Sequence, residues 1–483
     1  MSPFKEILFS CFFCFIAAVA AAQNIDVAVT EGSKLLNITS DSAAKFAVKQ
    51  INIFGNKKTK DYIIRREIPV KTGDSIMLSS VNDELQKIRQ QVYNTNLFNE
   101  VKVELVNIEA NSFDINISLK ERWYIFPLLK FQLVDRNINE WIQKYNGDLG
   151  RVVYGVKFTH YNLTGRRDLL RLTFLNGFTR NVSFSYFKPL SNKELTQGFS
   201  FAGGYVENKE FIYNTSYDNK PLHFNNGDFA RRNTFVGVGF NFRKKFLQHH
   251  YFNITFNHID VVDSLLKNSY NPNYFNSTAS SKNFFDISYT YQYINANNAA
   301  YPLKGTTSSL KLIKRGFGLS GGINMFSAEA TYNKYWPLKS DWYASVQLSA
   351  KTTLPFNQPY INQRALGYGD VNLRGLELYV VDGVAYGLAR STIKKKLFTV
   401  NVPNILKSKK YPTIPFTFFA KTYTDIGYAY NKKLYETNLN NKFLYTGGFG
   451  IDIYSIYDVT LRLEYSFNQL GKNGLFLQAQ SGL

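Results

Sequence analysis

The chain has 483 residues, a formal net charge of +21 and 16% aromatic residues, while proline and methionine are scarce. Aromatic side chains fit pleated, half-buried surfaces, so this composition favours strands over helices. No segment after the N-terminal region has the ~18 consecutive apolar residues that indicate a membrane helix. The net positive charge would suit a nucleic-acid partner, but the export signal at the N-terminus excludes it.

The N-terminus has the pattern of an export signal. Lys5 precedes the apolar run ILFSCFFCFIAAVA, and a small-residue stretch then closes residues 1–22. The run is shorter than the ~20 residues that span a bilayer, so we interpret it as a signal peptide rather than an anchor. Cys11 and Cys14 both lie in this segment, and we therefore expect no disulfide in the mature chain. Residues 23–48 are a polar leader.

Residues 49–121 mix strand and helix patterns. VKQINIFGN predicts a strand that ends in a turn at Gly55 and Asn56. Helical spacing follows in TKDYIIRREI and, after Gly73, in LSSVNDELQKIRQQVYNTNLF. EVKVELVNI and SFDINISLKER then alternate as a hairpin. The predicted order is strand, helix, helix, strand, strand.

This segment resembles one polypeptide-transport-associated (POTRA) domain. The resemblance rests on its turn glycines, on NLFNEV and on LKER, and its motif positions are Gly55, Asn56, Gly73, Leu97, Phe98 and Val101. The alternative is a generic small α+β domain. The resemblance implies a periplasmic domain that adds an extended polypeptide to the edge of its sheet.

From residue 122 to residue 483 the apolar period is two almost throughout, as in DVTLRLEYSF and NFFDISYTYQY. These runs reach about ten residues, which suits a tilted strand crossing a bilayer better than a soluble sandwich. Sixteen runs begin near residues 124, 151, 168, 180, 197, 230, 251, 283, 306, 323, 342, 383, 413, 443, 458 and 474. We therefore predict a membrane all-β barrel of about sixteen antiparallel strands, preceded by the small α+β domain.

The barrel seam should be weak. The first strand must pair with the last to close the wall, yet Pro127 in the first strand cannot donate a ladder hydrogen bond. The last strand, GLFLQAQSGL, has a thin apolar face and Gly482 near its end. We predict a lateral seam between these two strands, with a firmly closed seam and transport through the lumen as the alternative.

The stretch GYGDVNLRGLELYVV lies in the sixth predicted external loop. A POTRA domain, a sixteen-stranded barrel and an arginine-glycine loop together resemble the outer-membrane insertase and translocase superfamily, the bacterial surface antigen family. Its members include the BamA-type insertases and the two-partner-secretion transporters. The family's loop motif is valine or isoleucine, arginine, glycine and an aromatic residue. Here it reads Leu373, Arg374, Gly375 and Leu376, followed by Glu377, so the aromatic residue is missing.

The resemblance implies that the loop arginine folds into the lumen and pairs with an acidic residue of the wall. The family's wall motif is phenylalanine, three residues, aspartate, one residue and glycine. KTYTDIG supplies Asp425 and Gly427, but Lys421 stands at the phenylalanine position. Guanidinium and carboxylate groups match bidentately, which suits an anchor for a long loop. The alternative places Arg374 on a solvated outer loop.

Basic residues cluster at the predicted periplasmic ends of the strands. We interpret them as a collar that contacts anionic phospholipid head groups, with solvated turns as the alternative. The collar residues are Arg166, Arg167, Arg243, Lys244, Lys245, Lys394, Lys395 and Lys396.

These features imply a protein of a Gram-negative outer membrane, with its POTRA domain in the periplasm, that assembles, inserts or translocates polypeptides. Expected partners are the lipid bilayer, unfolded or extended clients, and accessory periplasmic or lipoprotein subunits. A passive porin is the alternative, and an outer-membrane hydrolase built around His258, Asp260 and Asp263 is a further one. We predict no enzyme, metal or cofactor, because no metal-ligand spacing or phosphate loop occurs.

Overall fold

The fold is known from a computed structural model. It describes residues 44–133, 146, 148–267, 270–317, 323–369, 371–404, 412–432 and 437–480. The predicted signal peptide, most of the leader, and the chain end with Gly482 lie outside the described residues.

The N-terminal domain is a four-stranded sheet covered by two helices. Its elements are β1 (Lys45–Phe54), α1 (Asp61–Arg65), β2 (Ser75–Met77), α2 (Val81–Tyr93), β3 (Phe98–Val106) and β4 (Ser112–Glu121). The sheet order is β2-β1-β4-β3, with β1 and β4 parallel. The predicted order omitted β2, because three residues are too few to show a period of two. The α+β class is confirmed.

The motif residues of this domain have structural roles. Gly55 has a φ of +88°, and a Cβ there would lie 2.0 Å from the carbonyl oxygen of Leu119. The Asn56 side chain donates to Asp61 Oδ1 at 2.6 Å and so fixes the start of α1. Gly73 also has a positive φ, of +93°. The remaining motif residues, Leu97, Phe98 and Val101, are buried in the domain core.

The described residues after the N-terminal domain form one sheet of sixteen antiparallel strands and one small hairpin, β10 (Phe211–Thr215) and β11 (Pro221–Phe224). The sixteen strands are β5 (Ile125–Leu133), β6 (Val152–Tyr161), β7 (Leu169–Gly177), β8 (Thr179–Lys188), β9 (Gln197–Asn208), β12 (Arg231–Phe242), β13 (Gln248–Val261), β14 (Ser281–Ala296), β15 (Gly305–Arg315), β16 (Met325–Pro337), β17 (Trp342–Leu354), β18 (Ala385–Pro403), β19 (Thr413–Tyr430), β20 (Phe443–Ser455), β21 (Thr460–Asn468) and β22 (Asn473–Gln480). The barrel prediction is confirmed, and the largest error in a strand start is three residues, at β13.

The two faces of the barrel strands differ as their alternation requires. In β19, Lys421, Tyr423 and Asp425 are buried on the inner face, whereas Ile426 and Tyr428 are exposed on the outer face. A barrel that contacts lipid needs an exposed apolar outer face of this kind. No helix in the described part of the chain is long and apolar enough to cross a membrane.

The two ends of the barrel are covered differently. At the near end, the N-terminal domain lies against the short turns between strands, for example through the hydrogen bond from Lys60 N to Gly165 O. At the far end, long loops pack on one another. The buried Asn219 side chain there donates to Val380 O at 3.0 Å and to Asn440 Oδ1 at 3.1 Å.

The seam differs from the prediction. The sheet order begins at β22 and ends at β5, and no ladder joins these strands within residues 125–133 and 473–480. The expected closure by pairing is therefore absent from the described residues. Pro127 lacks an N–H group, and β22, with eight residues, is the shortest of the sixteen described strands, so few hydrogen bonds are available here.

Candidate functional site in the barrel lumen

The loop between β17 and β18 enters the barrel and is held there by Arg374. Its Nη2 donates to Asp425 Oδ1 at 2.5 Å, its Nε to Oδ2 at 3.0 Å, and its backbone N to Oδ2 at 2.9 Å. The Asp425 side chain is 0% exposed and that of Arg374 is 14% exposed. The structure thus brings these two sequence-predicted residues together as a bidentate pair inside the lumen.

Apolar contacts hold the residues on both sides of the arginine. Leu373 and Leu376 are buried in a cluster with Leu388 and Ala429 of the barrel wall. A Cβ at Gly427 would lie 3.1 Å from Leu373 Cδ1, so the wall glycine leaves room for the loop leucine. Leucine at both positions therefore suits this lumen, where the family motif has valine or isoleucine and an aromatic residue.

The loop backbone turns sharply beside the arginine. Gly375 has a φ of +97°, and a Cβ there would meet Ser466 Cβ at 2.8 Å. Its N–H donates to Glu377 Oε2 at 2.7 Å, and its carbonyl oxygen accepts from Asn468 Nδ2 at 2.8 Å. Glycine is required here both by its conformation and by the closeness of β21.

Further wall residues complete the binding of the arginine. The guanidinium of Arg374 lies 4.0 Å from the ring centroid of Tyr423 and donates to Thr392 Oγ1 at 2.9 Å. Arg390 on β18 approaches Asp425 at 3.9 Å and donates to Asn372 Oδ1 at 2.8 Å. The loop is therefore bound through its backbone and its side chains.

Lys421, which replaces the expected phenylalanine, forms a second charge cluster on the same wall. Its Nζ lies 2.5 Å from Asp452 Oδ1 and 2.6 Å from Glu464 Oε1, and all three side chains are buried. Tyr301 donates to Asp452 Oδ2 at 2.9 Å. Asp452 and Glu464 were not predicted as site residues, although alternation in DIYS and LEYSF places both on the inner face.

Part of the predicted basic collar is wrong. Lys394 lies inside the lumen, 3.5 Å from Asp452, because β18 continues beyond it to Pro403 and alternation turns its side chain inward. Lys395, on the outer face, lies over the Trp342 ring at 5.4 Å. Lys396 follows within the same strand, so none of the three marks a strand end.

Arg243 and Arg167 bind the N-terminal domain instead of facing a membrane surface. Arg243 donates to the two carboxylate oxygens of Glu67 at 2.5 and 2.7 Å, and Arg167 lies 3.5 Å from the same group. Burial raises the pKa of Glu67, but the two arginines lower it more, and the pKa falls below its ordinary value of 4.5. The other collar residues, Arg166, Lys244 and Lys245, are exposed.

A second buried pair joins the domain to the turn between β20 and β21. Arg122 Nη2 lies 2.6 Å from Asp458 Oδ2, and both side chains are almost fully buried. Tyr93 of α2 donates to Asp458 Oδ1 at 3.1 Å. Burial raises the pKa of Asp458, whereas Arg122 lowers it, and the pKa lies below its ordinary value. The domain is therefore attached at separate points around the near end.

The hydrolase candidate is a surface cluster. His258 Nε2 lies 2.9 Å from Asp260, and its Nδ1 lies 2.6 Å from Asn283 Oδ1. In the described part of the chain, no group of three His, Cys, Asp or Glu residues is placed to hold a metal ion.

Comparison with known proteins identifies the N-terminal domain. Residues 46–122 match the POTRA family model, described as surface antigen variable number repeat. A segment of 81 residues is 35% identical to the outer membrane protein assembly factor BamA of Neorickettsia risticii (strain Illinois). That match covers 17% of this chain and only 10% of the length of that protein. Residues 46–122 are therefore a POTRA domain.

Most of the chain, 90% of it, shares its fold with a solved structure. BamA from Haemophilus ducreyi lacking POTRA domains 1–3 matches with a TM-score of 0.51 at 16% identity, over 90% of this chain and 84% of that one. CdiB from Acinetobacter baumannii matches with a TM-score of 0.45 at 12% identity, over 90% and 73% of the two chains. At these identities the comparison establishes the fold alone, and the second match is too weak to carry an argument.

Proposed function

Because the chain joins one POTRA domain to a sixteen-stranded barrel of the BamA fold, we propose that it inserts or translocates polypeptides at the outer membrane of a Gram-negative bacterium. The observation that carries this proposal is the sixth loop, which is bound inside the lumen by Arg374 and Asp425. A passive pore has no need of such an internal anchor or of a polypeptide-binding domain across one end. The POTRA domain would then lie in the periplasm.

We propose two contact sites for a client. The first is the edge strand β3 of the POTRA sheet, which has one neighbour, β4, in the described sheet and can accept an extended chain through its backbone. The second is the seam between β5 and β22, which gives a route from the lumen toward lipid. Accessory periplasmic or lipoprotein subunits would deliver clients to the first site.

A reconstitution experiment tests the function. Vesicles containing the purified full chain should accelerate the folding of an unfolded outer-membrane barrel client, measured by its shifted mobility on an unheated gel. Arg374→Lys should slow this folding about tenfold or more, since lysine cannot form the bidentate pair. The matched control is Arg364→Lys in the same loop, which should keep the wild-type rate. Wild-type vesicles that conduct ions but do not accelerate folding would support the passive channel.

The seam has its own test. Cysteine pairs introduced along Ile125–Leu133 and Asn473–Gln480 should form disulfides that stop client insertion, and a reductant should restore it. Full activity in the locked barrel would direct clients through the lumen instead.

A further inference from the structure

Three cations on the inner wall of the first strands have no partner in the described part of the chain. Lys130 on β5, Lys157 on β6 and Arg171 on β7 form no ion pair or side-chain hydrogen bond there. Their ladder partners show that they share the inner face, because Lys157 lies opposite Thr173 and Arg171 lies opposite Thr159. The neighbouring Phe174, on the outer face, is 52% exposed.

The three residues form a diagonal row, which we name the basic row. Lys130 lies opposite Gly155, two residues from Lys157, and Arg171 lies opposite Thr159, two residues beyond Lys157. Diagonal neighbours of this kind in an antiparallel sheet are about 7–8 Å apart. The row therefore descends from the seam strand toward the near end of the barrel, in steps of about this length.

The carboxylates of the inner wall are already engaged. Asp286 pairs with Arg315, and Glu329 accepts from Tyr386. Asp425, Asp452 and Glu464 are bound by Arg374 and Lys421. Among the described wall residues, the charge of the basic row is thus left without a neutralising carboxylate, although a lumen with low-dielectric walls strengthens the field of each charge.

We propose that the basic row binds an extended polypeptide with acidic side chains at alternate positions. Alternate residues of an extended chain point the same way and are about 7 Å apart, which matches the step of the row. Ammonium and guanidinium groups bind carboxylates through charge-assisted hydrogen bonds. This inference rests on the proposed function, because it names the client class, and it adds a selection for acidic segments in the lumen.

Equilibrium binding tests the proposal. The probe is a dye-labelled peptide of about ten residues with alternating glutamate and serine, added to the full chain in phosphatidylcholine nanodiscs. Fluorescence anisotropy should show binding that weakens from about 50 to 300 mM salt. Replacing Lys130, Lys157 and Arg171 by glutamine should reduce the affinity about tenfold. The mobility shift on an unheated gel verifies that each variant is folded.

Two controls make the result specific. The variant with Lys193→Gln, Lys244→Gln and Lys245→Gln removes the same charge outside the lumen and should bind like wild type. A peptide of equal charge with consecutive glutamates should bind more weakly than the alternating one. The proposal would be overturned by an equal loss of affinity in both triple variants, by equal affinity for both peptides, or by no binding of the alternating peptide to the wild-type protein. The binding assay does not measure insertion. A protein that accelerates client folding but does not bind the acidic peptide would therefore reject the proposal for the basic row and leave the proposed function intact.

Discussion

The inner walls of β5–β7 and of β18–β21 face the same lumen, but they differ in whether their charged side chains are paired. On the late strands, Asp425, Asp452 and Glu464 are each bound by a cation, and the long loop is held against them. On the early strands, Lys130 and Lys157 are unpartnered within the described residues. Alternation gives both walls polar inner faces, so the difference comes from which opposite charges the barrel brings within reach. One wall is built to hold the protein's own loop, and the other is left open to a ligand.

The largest effect should follow from removal of the loop's buried acceptor. Asp425→Ala leaves Arg374 without its carboxylate in a buried site, which we expect to cost about 3 kcal/mol or more. Urea unfolding in detergent, followed by tryptophan fluorescence, measures this loss. The control Thr424→Ala changes the neighbouring outward residue and should shift stability by less than about 0.5 kcal/mol. Equal stabilities in the two variants would mean that the loop is not held by this pair.

The second cluster should behave similarly but with a smaller loss. Lys421→Met leaves Asp452 with the more distant Lys394 and leaves Glu464 without its close cation. We expect about 2–3 kcal/mol of destabilisation in the same unfolding assay, reduced by the apolar packing of methionine. Lys421→Arg should recover part of it. A stable Lys421→Met variant would show that the acids of this wall do not depend on the lysine.

Docking of the POTRA domain should depend on acid pH. The pKa of Glu67 is lowered by Arg243 and Arg167 in the docked state, so its contribution is complete above about 4.5 and is lost as pH falls through the lower docked value. Limited proteolysis between the domain and β5 should therefore increase only as pH falls below 4.5 and through the lower docked pKa of Glu67. In Glu67→Gln the cleavage should already be faster at pH 7, and its rise with acid should be weaker. Identical pH profiles for the two proteins would assign the docking to other contacts.

The smallest effect should come from the open wall. Lys157→Gln removes a charge with no partner among the described residues, so we expect a change in unfolding free energy within about 0.5 kcal/mol. Measured beside Lys421→Met, it compares one lysine from each wall in the same assay. Destabilisation as large as that of Lys421→Met would show that both walls are held by internal charge pairs.

Much of the architecture follows from the sequence alone. A period of two over runs of about ten residues specifies membrane strands, because each strand must satisfy its backbone through neighbours and show one face to lipid. The same alternation places Asp425, Gly427 and Lys421 on one face. Glycines at 55 and 73 mark turns, since positive φ angles favour glycine over other residues.

The tertiary structure alone decided which charges meet. Arg243 and Glu67 are 176 residues apart and are joined only because α1 ends beside the turn after β12, so sequence position suggested a lipid-facing collar. Lys421 reaches Asp452 and Glu464 through the ladders of β19, β20 and β21, a register that no local pattern specifies. The missing ladder between β5 and β22 likewise depends on how the two ends of the sheet approach each other. Local alternation sets the face of a residue, whereas strand register and domain docking set its partner.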